Sequence, residues 1–243
     1  MFGSLIAEGH ADSVLTAHTL DDQAETVLMK LLRGAWTEGL SGIHPVVAVP
    51  GGARPGRILR PLLGVRRSEL EEFLRGEGQD WRTDSSNADE AFTRNRIRHH
   101  LLAVLREYNP SIDNTLANLA EVARDEEARW QADLSRILPQ VLLPGKPVRG
   151  GGRAVSTAVG GSEIIAIELE RLRSFDNALR RRVLRAAAKQ LGVRLSFEET
   201  QRLFEMGIPQ NLSHRGGRAG RLELSGGLRA ERTARELRLE RVR

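Results

Sequence analysis

The sequence predicts an α/β segment, then a long connecting helix, then a small α+β module. Three observations carry this. Residues 13–17 (SVLTA) read as a short buried strand, and helical periodicity follows from about residue 21 to 33. Residues 110–143 form one long helical pattern with an intermittent apolar stripe. The tail, RLELSGGLRAERTARELRLERV, alternates apolar and polar residues about a Ser-Gly-Gly turn.

Each element has its own signal. Ala24, Val27, Leu28, Leu31 and Leu32 recur at helical spacing and predict one buried face. Gly34 is placed to stop that helix. Residues 44–60 carry several Pro and Gly, and RILRPLL reads as a second strand. SELEEFLRGEG reads as a helix capped by Ser68 and ended near Gly76 or Gly78. WRTDSSNADEA is a polar loop. TRNRIRHHLLAVLREY is a helix with Ile97, Leu101, Leu102 and Leu105 inward, broken by Asn109-Pro110. In the long helix Ile112, Leu116, Leu119, Ala123, Trp130, Leu134 and Leu138 make the stripe. Residues 144–161 are Gly-rich and read as a linker or exposed loop. EIIAIEL reads as a strand, FDNALRRRVLRAAAKQLG and SFEETQRLFEMG as helices, and the tail as an antiparallel meander. The expected domains are 1–108, a connecting segment 109–160, and 161–243.

Composition narrows the function classes. No apolar run reaches the roughly 18 residues of a membrane span. The first residues lack the basic start and cleavage site of a secretory signal. There are no cysteines, which excludes disulfides, thiolate metal sites and cysteine nucleophiles and fits a cytoplasmic location. The net charge of +5 and a sequence pI near 10.5 favour a polyanionic partner.

Two constellations carry chemistry. Asp21, Asp22 and Glu25 crowd the start of the first long helix, just after His18. Capping is one reading: acids suit a helix N-terminus, and Asp22 and Glu25 have capping-box spacing. The second is a ligand site at the carboxyl end of a strand, where carboxylates hold magnesium with a nucleotide, or pair with an ammonium group and take its proton. The other constellation is Arg94, Asn95, Arg96, Arg98, His99 and His100. It reads either as a solvated basic helix or as arginine forks for phosphate or carboxylate. No acids lie at zinc-site spacing, so metal ligands are not expected. GGARPG and RGGGR lack the strand-to-helix frame of a phosphate cradle, and SGGLRA reads as a hairpin turn.

TAHTLDDQAETVLMKLLRG, GLSGI, RPLL, DSSN and TRNRIRHHLL occur in this order across residues 13–106. In order and spacing they resemble the tRNA(Ile)-lysidine synthetases, members of the N-type ATP pyrophosphatases. The region after residue 160 resembles that family's substrate-binding domain more loosely. The resemblance implies a partial Rossmann-like parallel sheet of the adenine nucleotide alpha hydrolase type. It implies a ligase, using ATP and Mg2+, that adenylates the first-anticodon-position cytidine of tRNA(Ile) with a CAU anticodon. L-lysine then displaces AMP through its ε-amine. His18, Asp22 and Glu25 fall in the implied lysine and adenylate site, with Asp21 in support. Arg94, Asn95 and Arg96 fall nearby, on phosphate, lysine carboxylate or tRNA backbone. A homodimer is among the expected assemblies. The family's Ser-Gly-Gly-x-Asp-Ser loop is absent from the sequence. The expectation is therefore an N-terminally truncated, inactive member whose half-sheet leaves an unpaired edge and apolar helix faces. The alternative is a non-catalytic basic tRNA-binding fragment, with Arg180, Arg181, Arg182 and Arg185 of one helix on phosphates or merely solvated. A tRNA-thiolating relative is disfavoured by the lack of cysteine.

Overall fold

The computed structural model describes residues 2–50, 56–82, 89–154, 163–207 and 220–242. Most of GGARPG, the DSSN stretch, residues 155–161 of the expected linker, and residues 208–219 lie outside the described residues. The chain divides into two compact units, Met1–Arg129 and Trp130–Arg243.

The first unit holds helix α1 (Phe2–Ala7) and strands β1 (Ser13–Leu15), β2 (Val46–Val49) and β3 (Gly56–Leu59). The strands lie in the order β1-β3-β2, with β1 parallel and β2 antiparallel to β3. The sequence gives no strand signal at β2, because its Val-Val-Ala-Val run sits among Pro and Gly. The RILRPLL strand ends at Leu59, where the chain turns. Strand β1 is less buried than expected: Leu15 is 66% exposed, since three short strands leave much of the sheet uncovered. Helix α1 packs closest at Gly56, where a Cβ would lie 2.1 Å from Ile6 Cγ2 and 3.2 Å from the Asp12 carbonyl oxygen. Gly56→Ala is therefore expected to cost about 1–3 kcal/mol, read as a lower urea midpoint for the first unit.

Helix α2 (Leu20–Leu32) starts one residue earlier than the apolar pattern suggests, because Thr19 caps it. The capping box pairs Thr19 with Asp22, not Asp22 with Glu25. Ala24, Val27 and Leu28 are buried, but Leu31 and Leu32 are 51% and 64% exposed, so the apolar face is shorter than its spacing implies. Helix α3 (Thr37–Leu40) leads into Ser41-Gly42-Ile43, which lies against α2. The Gln23 side chain accepts from the Ile43 N–H (2.6 Å) and donates to the Ile43 carbonyl (3.3 Å). Gly42 has φ +63°, and a Cβ there would meet Gln23 Oε1 at 2.6 Å, so conformation and space both demand glycine. Lys30 Nζ donates to the Gly42 carbonyl, and burial lowers its pKa.

Helix α4 (Arg67–Gly76) is capped by Arg66, whose N–H bonds Glu69, while Ser68 lies inside the first turn. Helix α5 (Thr93–Arg96) passes through a widened π turn (Ile97–Leu101) into α6 (Leu102–Tyr108). Helix α7 (Ile112–Val141) begins in this unit and continues into the second. Ala24, Val27, Leu28, Ile97, Leu102, Leu116 and Ala120 form the first unit's core.

In the second unit α7 carries Pro139 in its last turn and hands over to β4 (Leu142–Pro144), where the sequence pattern predicts helix. Part of the expected linker is a small hairpin, β5 (Lys146–Pro147) with β6 (Arg153–Ala154). Strand β7 (Ile164–Glu168) leads directly into α8 (Leu169–Ser174), too short for its periodicity to be read in the sequence. Helices α9 (Asn177–Gln190) and α10 (Phe197–Gly207) follow, then β8 (Arg221–Glu223), β9 (Leu228–Arg232) and β10 (Glu236–Arg241). The five-stranded sheet runs β4-β7-β10-β9-β8, all pairs antiparallel. Ser225–Gly227 turns the chain between β8 and β9, as the hairpin reading has it. Leu228, Ala230, Leu237 and Leu239 are buried, and Arg229, Glu231, Glu236, Arg238 and Glu240 alternate onto the other face.

On that face Glu236 accepts from Arg153 Nη1 (2.7 Å) and Arg238 Nε (3.1 Å). Burial alone would raise the Glu236 pKa. The two guanidiniums outweigh it and hold the carboxyl below its usual value near 4.5. Its contribution to stability is thus full above about pH 4.5 and is lost as pH falls through the lower folded value. Glu236→Gln is expected to cost about 1–2 kcal/mol at neutral pH and nothing at low pH. Urea titrations of both proteins across that range measure the convergence.

Candidate functional site

The candidate site forms where two strand-to-helix connections meet. Strands β1 and β3 are parallel, so the loops leading to α2 and α4 emerge at the same end of the sheet. The Leu20 N–H donates to the Val65 carbonyl (3.0 Å), tying the loops together. Asp21 Oδ2 accepts the Arg67 N–H (2.8 Å), so this acid caps α4 rather than its own helix.

Asp22 divides its two oxygens. Oδ2 accepts from Thr19 N (2.8 Å) and Thr19 Oγ1 (3.0 Å), completing the cap of α2. Oδ1 faces three guanidiniums: Arg94 Nη2 at 2.8 Å, Arg98 Nη2 at 3.6 Å and Arg67 Nη2 at 3.7 Å. Glu25 lies one turn further along α2 and is fully buried. Its Oε2 accepts from Arg94 Nε (2.6 Å) and Arg98 Nη2 (3.1 Å), and Oε1 from Arg98 Nε (2.5 Å). The hydrogen bond to Glu25, outweighing burial, raises the Arg98 pKa and locks its charge. Arg94 and Arg98 reach the same carboxylate because residues four apart share a helix face.

A second buried acid extends the network. Asp113, fully buried, takes a bidentate fork from Arg106 (both contacts 2.8 Å) and faces Arg66 Nη1 at 3.7 Å. Arg66 is the residue before Arg67, so the two acid clusters are linked at the start of α4.

His18 and Asn95 bond other partners. His18 sits half-buried in the β1–α2 loop, with Nδ1 2.9 Å from Thr16 Oγ1. Asn95 is buried and donates to the Asp89 carbonyl (2.7 Å). Arg96 points away from the acids. With Leu32, Ile97, His100, Leu101 and Val104 it lines an apolar groove of about 450 Å3. The capping reading thus holds for part of Asp22, while Glu25 is satisfied wholly by distant arginines. Arg98, one of the basic constellation, joins the site, and Arg67 joins it without having been singled out. The four-residue spacing of Arg94 and Arg98 was the available signal; for Arg67 there was none.

Solvent meets guanidinium rather than carboxylate here. The side chains of Arg94 and Arg67 are 39% and 40% exposed, against 12% for Asp22 and 1% for Glu25. The surface therefore suits a carboxylate or phosphate. Among the described residues no three His, Asp or Glu come together to hold a metal ion. The nearby carboxylates are already paired with arginine, so this set does not fit a protein-held Mg2+.

Residues 1–105 match the family model of the PP-loop domain. The chain is 41% identical over 187 residues to a tRNA(Ile)-lysidine synthase of Solibacter usitatus, covering 76% of this chain and 37% of that one. It is 38% identical over 217 residues to one of Geobacter sulfurreducens, covering 88% and 42%. For one of Deinococcus radiodurans the figures are 42% over 171 residues, 69% and 28%. Over most of its length the chain is thus similar to part of these tRNA(Ile)-lysidine synthases. It spans less than half the length of these three relatives. The PP-loop domain contains the whole Asp22–Glu25–Arg94–Arg98 cluster.

The α9 arginines lie in the second unit, each half-buried. Arg180 donates to the carbonyls of Leu172 (3.1 Å) and Arg173 and to Asn177. Arg181 lies 5.0 Å over the Phe204 ring and Arg182 4.6 Å over the Trp130 ring. Charge is unevenly divided along the chain. Residues 1–129 carry 15 Lys and Arg against 20 Asp and Glu, a net −5, whereas residues 130–243 carry 22 against 12, a net +10.

Proposed function

We propose that this chain contributes the lysine-handling site and a tRNA-binding surface to a tRNA(Ile)-lysidine synthase. The reaction is ATP-dependent ligation of L-lysine to the first-anticodon cytidine of tRNA(Ile) with a CAU anticodon. The observation that carries it is Asp22 Oδ1 set among Arg94, Arg98 and Arg67 at the strand ends of a PP-loop domain. The half-exposed guanidiniums of Arg94 and Arg67 receive an anionic group, either the lysine carboxylate or a phosphate of the activated base. Asp22 Oδ1 holds the ε-ammonium group and takes its proton before the amine attacks, with His18 in the adjacent loop as the second acceptor. Glu25 fixes both arginines, and Asp21 fixes the start of α4.

ATP supplies the adenylyl group in this reading. The 243 residues contain no Ser-Gly-Gly-x-Asp-Ser loop to cradle its pyrophosphate. Magnesium would enter with the nucleotide, and no step here passes through it. Residues 1–108 are the catalytic part, 109–160 the connection and 161–243 the tRNA-facing domain. The net +10 of residues 130–243 supports placing the polyanion there. We place the protein in the cytoplasm; among the described residues no helix is long and apolar enough to cross a membrane.

The test is transfer of radiolabelled lysine, with ATP, to a tRNA(Ile) transcript by the native gene product. Asp22→Asn is expected to slow transfer by about 10²-fold. No label from the unsubstituted protein sinks the ligase reading, and an undiminished rate in the variant removes Asp22 from it. The second reading, a basic tRNA-binding fragment without catalysis, is favoured by the charge division. It predicts salt-sensitive tRNA binding with no transfer.

A further inference from the structure

The guanidiniums around Asp22 come from two separate stretches of chain. Arg94 and Arg98 belong to the helical segment 93–108, which runs from α5 through the π turn into α6. Arg67 opens α4. Arg94 Nη2 stands 2.8 Å and Arg67 Nη2 3.7 Å from the same oxygen, Asp22 Oδ1. A group held by both depends on the gap between them, and neither stretch alone fixes that gap.

One buried acid reaches both stretches. Asp113 lies in the first turn of α7 and is fully buried. Its two oxygens take the fork of Arg106, on α6, at 2.8 Å each. A bidentate fork fixes orientation as well as distance, so it anchors the α6 end of the segment that carries Arg94. Asp113 Oδ2 also faces Arg66 Nη1 at 3.7 Å. Arg66 caps α4 and directly precedes Arg67. Main-chain bonds tie the start of α4 to the β1–α2 loop: the Leu20 N–H donates to the Val65 carbonyl (3.0 Å) and the Arg67 N–H to Asp21 Oδ2 (2.8 Å). The Asp113–Arg66 pair ties the same point to α6 and α7. Among the described residues no hydrogen bond or ion pair joins Asp113 to Asp22, Glu25, Arg67, Arg94 or Arg98. Its influence on a ligand therefore runs through Arg66 and Arg106.

A carboxylate buried away from water needs its cations, and loss of its charge releases both of them at once. We propose that Asp113 is a positioning residue that sets the gap between Arg67 and Arg94, and that this gap receives the lysine carboxylate. A planar carboxylate matches guanidinium donors held in fixed orientation, and small misplacements of such donors are costly. This rests on the reading of the Asp22 cluster as the lysine site.

The experiment is equilibrium dialysis of the native gene product against radiolabelled L-lysine and against 1,5-diaminopentane, which is lysine without its carboxylate. The variants are Asp113→Asn, Arg66→Gln, Arg67→Gln and the double substitution Arg66→Gln/Arg67→Gln, with thermal unfolding of each. Asp113→Asn is expected to weaken lysine binding about tenfold and diamine binding less than about twofold. Arg66→Gln should weaken lysine binding about threefold, and should add nothing further in the Arg67→Gln background. The Arg66 side chain is 33% exposed, so this variant decides the matter should Asp113→Asn fail to fold. Equal weakening of both ligands would mark the pair as merely structural and overturn the proposal. So would unchanged lysine affinity in Arg66→Gln, or an Arg66→Gln effect that persists in full beside Arg67→Gln. No lysine binding by the unsubstituted protein would remove the lysine-site reading together with it.

Discussion

Glu25→Ala is expected to destabilise the first unit by about 3–5 kcal/mol, the largest effect of any single substitution in the PP-loop domain. Glu25 is a fully buried charge with both oxygens occupied by Arg94 and Arg98. Its removal leaves Arg98, whose side chain is 18% exposed, with only a distant partner in Asp22 at 3.6 Å. The cost comes from stranding that cation, not from the loss of a favourable pair. Arg94→Ala should be milder, since Arg94 is more exposed and Arg98 still satisfies Glu25. Urea unfolding of both variants, followed by circular dichroism, measures the difference. Equal losses would mean that Glu25 is better hydrated than its position indicates.

Leu237→Ala is expected to cost the second unit about 2–5 kcal/mol. Leu237 is wholly buried in β10, the strand that pairs with both β7 and β9. Its Cδ2 lies 4.0 Å from where a Cβ on Gly207 would sit, at the end of α10. The neighbouring main chain is hydrogen-bonded on both sides and cannot close over the space left behind. Leu31→Ala, on a half-exposed side chain, should cost far less. Differential scanning calorimetry of the two variants compares them directly.

What the sequence revealed and what it hid divide by range. Helix α2, its stop at Gly34 and the long helix α7 were legible because periodicity and punctuation are local. So was the tail meander, from alternation and a Gly-Gly turn. Strand β2 was hidden by its Pro and Gly surroundings, and α8 by its length. At the site, the residue types at Asp21, Asp22 and Glu25 pointed to a charged cluster, but their separate tasks did not show. Asp21 serves another helix 46 residues away, and Glu25 serves arginines 69 and 73 residues away. Such pairings are fixed by tertiary approach, which no local pattern encodes. Thr19 took the capping role because a hydroxyl one residue before the helix reaches its N–H groups better than an acid inside it.

The widened turn at Ile97–Leu101 governs the phase of the whole α5–α6 segment. The Leu102 N–H bonds the Ile97 carbonyl, one residue further back than an α-helix allows. The spare residue lets Arg94 and Arg98 meet the carboxylates while Leu102 still drops into the core. In a uniform helix those two demands would be out of step by about 100°. Residue count within this turn, more than residue identity, therefore sets where the guanidiniums aim, and a one-residue insertion or deletion is the change it tolerates least.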